Sequence, residues 1–188
     1  MLILASASKA RLELLKSVGI SPDKIISTDI NEKPKKDEKP LDYVLRIALE
    51  KNKAVKKNSS NIVLSADTIV AVGRRILLKP NNIDEASSFL SLLSGRRHRV
   101  HTSICIFCNH KFYQKNITTV LKMRRLSEEE KKSYLKSQEW RGKAGGYSIQ
   151  GAASYFFPFI SGSYSNVVGL PLTETIGLLN GLGFKSPS

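Results

Sequence analysis

Short apolar runs alternate along the chain with segments whose apolar residues recur every three or four positions. The first pattern is typical of buried strands and the second of amphipathic helices, so the alternation predicts an α/β protein. The predicted strands are residues 2–5, about 24–28, 61–72, 75–78, about 97–107 and 112–123. The predicted helices lie between Ser8 and Gly19, from about 41 to 57, from 84 to 93, from 127 to about 137, and from about 171 to 181.

Turn and capping residues mark several of these boundaries. Ser127 and Glu130 form a capping-box pattern, Asp84 is expected to cap the third helix, and Pro171 is a typical first-turn residue. Gly73 and Arg74 predict a hairpin turn. The 188 residues fit a single domain over 1–188, with room for two lobes, and residues 184–188 are expected to form a flexible tail. The segments 29–40 and 143–150 are predicted to be loops.

Composition indicates an ordinary globular protein, with 41% hydrophobic and 24% charged residues. No stretch approaches the roughly 20 continuous apolar residues that a membrane span requires. The apolar segment Met1–Ala5 is shorter than a secretory signal and lacks a basic leader. These features predict a cytoplasmic protein that does not enter a membrane.

The net charge of +14 raises the question of a nucleic-acid partner. The basic residues are scattered, and most lie beside acidic residues or on polar helix faces. No basic segment carries interleaved aromatic residues, which single-strand binding uses. We therefore expect a lysine-rich solvated surface and no nucleic-acid partner, although attraction of a small polyanion fits the charge equally well.

Cys105 and Cys108 form a Cys-x-x-Cys pair, and His98 and His101 lie nearby. Such a pattern can indicate zinc or redox chemistry. The segment reads as a strand, however, where residues three apart point to opposite faces. We therefore expect a strand end that carries thiols rather than a metal site.

Three charged residues break the apolar pattern of their elements. Asp67 lies mid-strand and shares a face with Val63 and Ile69, where an ionised carboxylate is costly unless it is paired or bound to a metal. Arg11 and Lys51 each fall on the apolar stripe of a helix. Each could be a structural residue at the edge of the core, but together they suggest a common partner.

A metal-bound polyphosphate is such a partner, because carboxylates hold a divalent cation while Lys and Arg neutralise phosphate oxygens. Ser6 and Ser8 stand at the start of the first helix, whose free N–H groups favour an anion. No Walker motif, dinucleotide fingerprint or serine-hydrolase elbow occurs in the sequence, so common kinases, dehydrogenases and esterases are not supported.

Five segments of the sequence resemble, in order, the signature motifs of the Maf family of septum-formation-inhibitor-like nucleotide pyrophosphatases. They are Leu4–Arg11, Ser65–Val70, Leu78–Pro80, Ser94–Thr102, and a block from Lys143 through Gln150 to Leu172. The resemblance implies an elongated mixed β-sheet with flanking helices and a cleft between two lobes, usually in a homodimer. It also implies hydrolysis of a nucleoside triphosphate to the monophosphate and diphosphate with a divalent cation, Mg²⁺ or Mn²⁺, and a link to septum formation or to cleansing of the nucleotide pool.

The resemblance also implies roles for individual residues. Asp67 matches the proton acceptor, and Asp67 and Glu32 match positions that would hold the metal. Lys51 and Lys79 match catalytic positions. Substrate-binding positions are matched by Ser8, Ala10, Arg11, Thr68 and Gln150.

Thr68 and Gln150 resemble the branch of the family that acts on dTTP and UTP rather than the branch that acts on 7-methyl-GTP. The branch that acts on dTTP and UTP usually has the sequence Ser-Pro-Arg-Arg where this chain has Ser8-Lys9-Ala10-Arg11. The arginine that Ala10 replaces is associated with substrate choice, so the base preference stays open. Two other functions also remain as alternatives: a nucleotide-sensing regulator of septum formation without catalysis, and a basic nucleic-acid-binding protein.

Overall fold

The computed structural model describes residues 1–56, 58 and 61–184. The expected flexible tail therefore lies, beyond residue 184, outside the described residues, and so does Lys57, the predicted end of the second helix. The chain forms two compact units. The first comprises Met1–Asp67, Thr102–Ile117 and Gly169–Ser188, and the second comprises Thr68–His101 and Thr118–Val168.

The element order confirms the predicted α/β class. The strands are β1 Leu2–Ala5, β2 Lys24–Ile25, β3 Ile62–Val72, β4 Arg75–Leu77, β5 Arg97–Cys108, β6 Lys111–Lys122 and β7 Phe159–Ser161. The α-helices are α1 Lys9–Ser17, α2 Pro40–Lys53, α3 Ile83–Leu93, α4 Glu128–Lys136, α5 Tyr164–Val168 and α6 Leu172–Gly181. Two 3₁₀ helices span Ala144–Gly146 and Ala152–Phe156.

The described strands form a mixed seven-stranded sheet in the order β2-β1-β3-β5-β6-β7, with β4 paired to β3. In the first unit, β1 runs parallel to both β2 and β3, and Ala5 lies opposite Ser65. In the second unit, β3 pairs antiparallel with β4, and β6 pairs antiparallel with β7. No helix among the described residues is long and apolar enough to cross a bilayer.

Each unit has its own apolar core. In the first, Leu4, Leu64 and Ile106 pack with residues of α1 and α6, while Val63 and Phe107 belong to a separate cluster. In the second, the largest cluster brings together residues of α3 and α4 with the aromatic side chains that follow them. Its aromatic members are Phe89, Tyr134, Trp140, Tyr147, Phe156 and Phe157.

Several predicted boundaries were wrong by a few residues. The N-cap of α3 is Asn82 rather than Asp84, because Asn82 is extended and its side-chain oxygen accepts the Glu85 N–H at 2.8 Å. Asp84 lies in the first turn, where a negative charge favours the helix N-terminus. Pro171 is the N-cap of α6 and not its first helical residue. Helix α2 ends at Lys53, and β2 has only two residues.

Other boundaries follow the local chemistry. The capping box of Ser127 and Glu130 is formed in both directions. Asn109 and His110, which join β5 to β6, both have positive φ, as a two-residue hairpin turn of type I′ requires.

Candidate active site

Asp67 lies on β3 with 6% of its surface exposed, and its Oδ1 accepts a hydrogen bond from Lys51 Nζ at 2.7 Å. The same ammonium lies 2.8 Å from Glu32 Oε1. Glu32 comes from the loop before α2, and 39% of its side chain is exposed. The centre of the site is therefore one ammonium shared by two carboxylates, which leaves the trio with a net charge of −1.

The sequence left open whether burial or nearby cations dominate the pKa of Asp67. In the structure, burial raises this pKa and outweighs the opposing effects of Lys51 and Arg11. Burial likewise lowers the pKa of Arg11, against the charges of Asp67 and Glu32. A carboxylate with a raised pKa is a better proton acceptor than an ordinary exposed one.

Arg11 is buried on α1, as its place on the apolar stripe predicted. Its Nε donates to the Gly169 carbonyl at 2.8 Å, and its Nη1 donates to Ser6 Oγ at 3.0 Å. Ser8 is the N-cap of α1, and its hydroxyl accepts the Arg11 N–H at 3.4 Å. The turn after β1 thus fixes the guanidinium and the start of the helix together.

Two polar side chains that sequence reasoning missed join α2 to the sheet at this point. Asn52 is fully buried, and its Nδ2 donates to the carbonyls of Val63 and Cys105 at 2.8 and 2.9 Å. Ser65 donates its hydroxyl to the Ala48 carbonyl at 2.7 Å. Asn52 follows Lys51, and Ser65 precedes Asp67 by two residues on the same strand. Their bonds therefore fix the backbone on both sides of the Lys51–Asp67 pair.

The remaining predicted site residues are described by their exposure and by the unit to which they belong. Ala10 is half-buried on α1, in the first unit. Thr68, which directly follows Asp67, is half-buried, and Lys79 and Gln150 are exposed. These three belong to the second unit, and their roles stay predictions.

The histidines and cysteines that the sequence singled out are buried. Cys105 and Cys108 are not joined in a disulfide. His98 Nε2 lies 2.9 Å from the Tyr147 hydroxyl, and burial lowers the pKa of this histidine to about 4. Over residues 1–56, 58 and 61–184, no group of three or more His, Cys, Asp or Glu side chains could hold a metal ion.

The donor chemistry of Glu32 and Asp67 nevertheless fits the divalent cation that the resemblance implies. Mg²⁺ is commonly held by one or two carboxylates together with substrate phosphates and water, rather than by a complete protein cage. The two carboxylates already share a cation, the Lys51 ammonium. With Lys51 the trio keeps a net negative charge, which favours a further positive charge nearby.

The fold and this buried constellation of charges agree with the family to which the sequence matches. The chain belongs to the Maf-like protein family, whose model matches residues 1–182.

Curated relatives cover nearly the whole chain and carry one name. A Roseobacter denitrificans protein named dTTP/UTP pyrophosphatase is 50% identical over all of both chains. A protein of the same name from Wolbachia of Drosophila simulans is 52% identical over 95% of this chain and 92% of its own. Among solved structures, a HAM1 protein from Coxiella burnetii is similar with a TM-score of 0.49 and 13% identity, over 96% of this chain and 98% of that one.

Proposed function

We propose that this protein hydrolyses nucleoside triphosphates to the monophosphate and pyrophosphate, with dTTP and UTP as its first candidate substrates. The observation that carries the proposal is the buried cluster of Asp67, Lys51 and Arg11 with Glu32 at its edge, in a chain of the Maf-like family. The relatives that share about half of the sequence are named for this activity on dTTP and UTP.

In the proposed reaction, the oxygen of a water molecule attacks the α-phosphorus and forms a new P–O bond. The bond from the α-phosphorus to the bridging oxygen breaks, and pyrophosphate leaves with that oxygen. Asp67 accepts the proton of the attacking water, a role that its raised pKa supports. Oδ1 of Asp67 already accepts a hydrogen bond from Lys51. We therefore assign the proton of the water to the other carboxylate oxygen, Oδ2.

The substrate brings about four negative charges, so cations must offset the charge that develops on the leaving group. We assign this role to Arg11, Lys51 and Lys79, while Ser8 contributes the start of α1. Glu32 and Asp67 would hold a Mg²⁺ or Mn²⁺ ion, which would supply Lewis-acid stabilisation of the phosphate oxygens when it is bound.

Base selection is assigned to Thr68, Gln150 and Ala10, as the resemblance implies. A preference for dTTP and UTP is supported by the names of the relatives, whereas Ala10 stands where the resemblance implies an arginine in that branch. We also assign to the protein the homodimeric state that the family resemblance implies, which sedimentation equilibrium tests directly.

A turnover screen tests the proposed function. The protein is incubated with ordinary and modified triphosphates and either Mg²⁺ or Mn²⁺, and the release of pyrophosphate and monophosphate is measured for each. We expect equimolar pyrophosphate and monophosphate, with dTTP and UTP among the fastest substrates. No release with any nucleotide and either metal would contradict the proposal and favour a nucleotide sensor.

A further inference from the structure

The segment that carries Glu32 has no regular secondary structure. Residues 29–39, here called the Glu32 loop, contain neither strand nor helix. Within it, the Glu38 N–H donates to the Lys35 carbonyl at 3.2 Å, and Asp37 has a positive φ of 57°. Two side-chain-to-backbone bonds also lie inside the loop. None of these three bonds involves Glu32, so its position depends on contacts from outside the loop.

Tyr43 provides one such contact from the first turn of α2. Its hydroxyl donates to the Glu32 carbonyl at 2.7 Å, and only 1% of the residue is exposed. The bond joins a buried side chain to the backbone of the residue whose carboxylate contacts Lys51.

Arg46, one helical turn further along α2, provides a second contact. Its guanidinium binds the Glu38 carboxylate with two bonds, Nε to Oε1 at 2.6 Å and Nη2 to Oε2 at 2.7 Å. Nη2 also donates to the Lys33 carbonyl at 3.2 Å. Such a two-bond fork fixes orientation as well as distance. The pairing with Arg46 lowers the pKa of Glu38 to about 2, so this carboxylate stays charged.

All these contacts come from the helix that carries Lys51. Tyr43 and Lys51 lie eight residues apart on α2, and they bind the backbone carbonyl and the side chain of Glu32 respectively. Arg46 lies between them in sequence, and its Cζ is 5.5 Å from the centre of the Tyr43 ring. One helix therefore presents the ammonium and also holds the loop that brings a carboxylate to it.

We propose that Tyr43 and Arg46 are positioning residues that clamp the Glu32 loop onto α2 and thereby keep the Glu32 carboxylate beside Lys51 and Asp67. The proposal rests on the proposed function only for the role of Glu32 in activity; the clamp itself is a property of the loop. Neither Tyr43 nor Arg46 is assigned a contact with substrate.

The test begins with Tyr43→Phe, which keeps the buried ring and removes only the hydroxyl. Thr175→Val is the matched control, because Thr175 is also fully buried and donates its hydroxyl to a backbone carbonyl, that of Pro171, at 2.7 Å. Each variant loses one hydrogen bond from a buried side chain to a backbone carbonyl of the first unit, and only the bond of Tyr43 holds the Glu32 loop.

Two quantities are measured in the full-length protein. Hydrogen exchange of the amides in residues 29–39 should be faster in Tyr43→Phe and unchanged in Thr175→Val. The Mn²⁺ concentration that half-activates dTTP hydrolysis should rise about 2- to 10-fold in Tyr43→Phe, the factor that one lost hydrogen bond corresponds to, while kcat at saturating Mn²⁺ changes little. Arg46→Gln and Glu38→Gln each remove one partner of the Arg46–Glu38 ion pair, so both should speed exchange in the same loop.

A Glu32→Gln background shows whether Tyr43 acts through Glu32. There, adding Tyr43→Phe should leave the half-activating Mn²⁺ concentration unchanged. An equal rise in both backgrounds, or unchanged loop exchange in Tyr43→Phe and Arg46→Gln, would overturn the proposal. Absence of hydrolysis by the unmodified protein would refute the proposed function alone, because the exchange measurement still decides whether the clamp exists.

Discussion

Lys51→Met is the substitution for which the structure makes the sharpest prediction. It removes the ammonium that lies 2.7 Å from Asp67 and keeps an apolar side chain of similar length. The side chains of Lys51 and Asp67 are 9% and 8% exposed, so Asp67 would be left as a buried charge without its closest cation. Removing one partner of a buried pair costs about 3–5 kcal/mol. The bond to the half-exposed Glu32 adds less than about 1 kcal/mol.

Urea unfolding at neutral pH, without nucleotide, measures this loss. Adding Asp67→Asn to Lys51→Met should restore most of the stability, because no uncompensated charge then remains. Asp67→Asn also serves as a single-variant reference for the cycle. A coupling free energy below about 1 kcal/mol in the double-mutant cycle would refute the view that Lys51 is the main counter-charge of Asp67.

The same variant tests whether Glu32 and Asp67 can hold a metal. In the unmodified protein the Lys51 ammonium already contacts both carboxylates and offsets one of their two charges, so Mn²⁺ alone should change stability little. In Lys51→Met the pair is open to a cation, and Mn²⁺ at 100 times its Kd would restore about 2.7 kcal/mol. If Mn²⁺ stabilised neither protein, the assignment of the metal to these two residues would be wrong.

Two further predictions concern the second unit. Because burial lowers the pKa of His98 from 6.5 to about 4, the unfolded chain binds a proton that the folded protein does not, so stability should fall by about 3 kcal/mol as the pH drops from 6.5 to 4. This slope should flatten in His98→Phe, and an unchanged slope in urea unfolding would show that another group causes it. Gly145→Ala should lower stability by about 1–3 kcal/mol, since φ is +70° and a Cβ would lie 2.7 Å from the Val70 side chain. Gly181→Ala, with open space around the added Cβ, is the control for thermal unfolding, and equal melting temperatures for both variants would contradict the packing argument.

Much of the fold could be predicted from the sequence because its long elements have clear periodicity. The apolar runs of β1 and β3 and the stripes of α1 and α2 were visible in the order of residues alone. The elements that sequence reasoning missed, β7, α5 and the two 3₁₀ helices, have three to five residues each. Segments this short show no measurable period, and their conformation depends on tertiary contacts that the sequence does not reveal.

The candidate site, like the fold, could be predicted from the sequence only in part. Asp67, Arg11 and Lys51 were detectable because a charge on an apolar stripe is costly. Their partners were not, since Lys51 bonds to a residue 16 positions away and Arg11 to a carbonyl 158 positions away. The charged residues on apolar stripes predicted a common ligand for the cations and the carboxylate, whereas in the structure Lys51 and Asp67 bind each other directly. The bonds of Asn52 and Ser65 to the neighbouring backbone could not be predicted, because a buried amide or hydroxyl has no distinctive sequence pattern.

We propose that Asp67 accepts a proton during the release of pyrophosphate from a nucleoside triphosphate. The most direct test of this proposal is pyrophosphate release from dTTP and UTP with Mn²⁺ by the unmodified protein and by Asp67→Asn, with circular dichroism to verify that the variant is folded. We expect turnover by the unmodified protein and none above background by the folded variant. Near-normal turnover by Asp67→Asn would contradict the proposal.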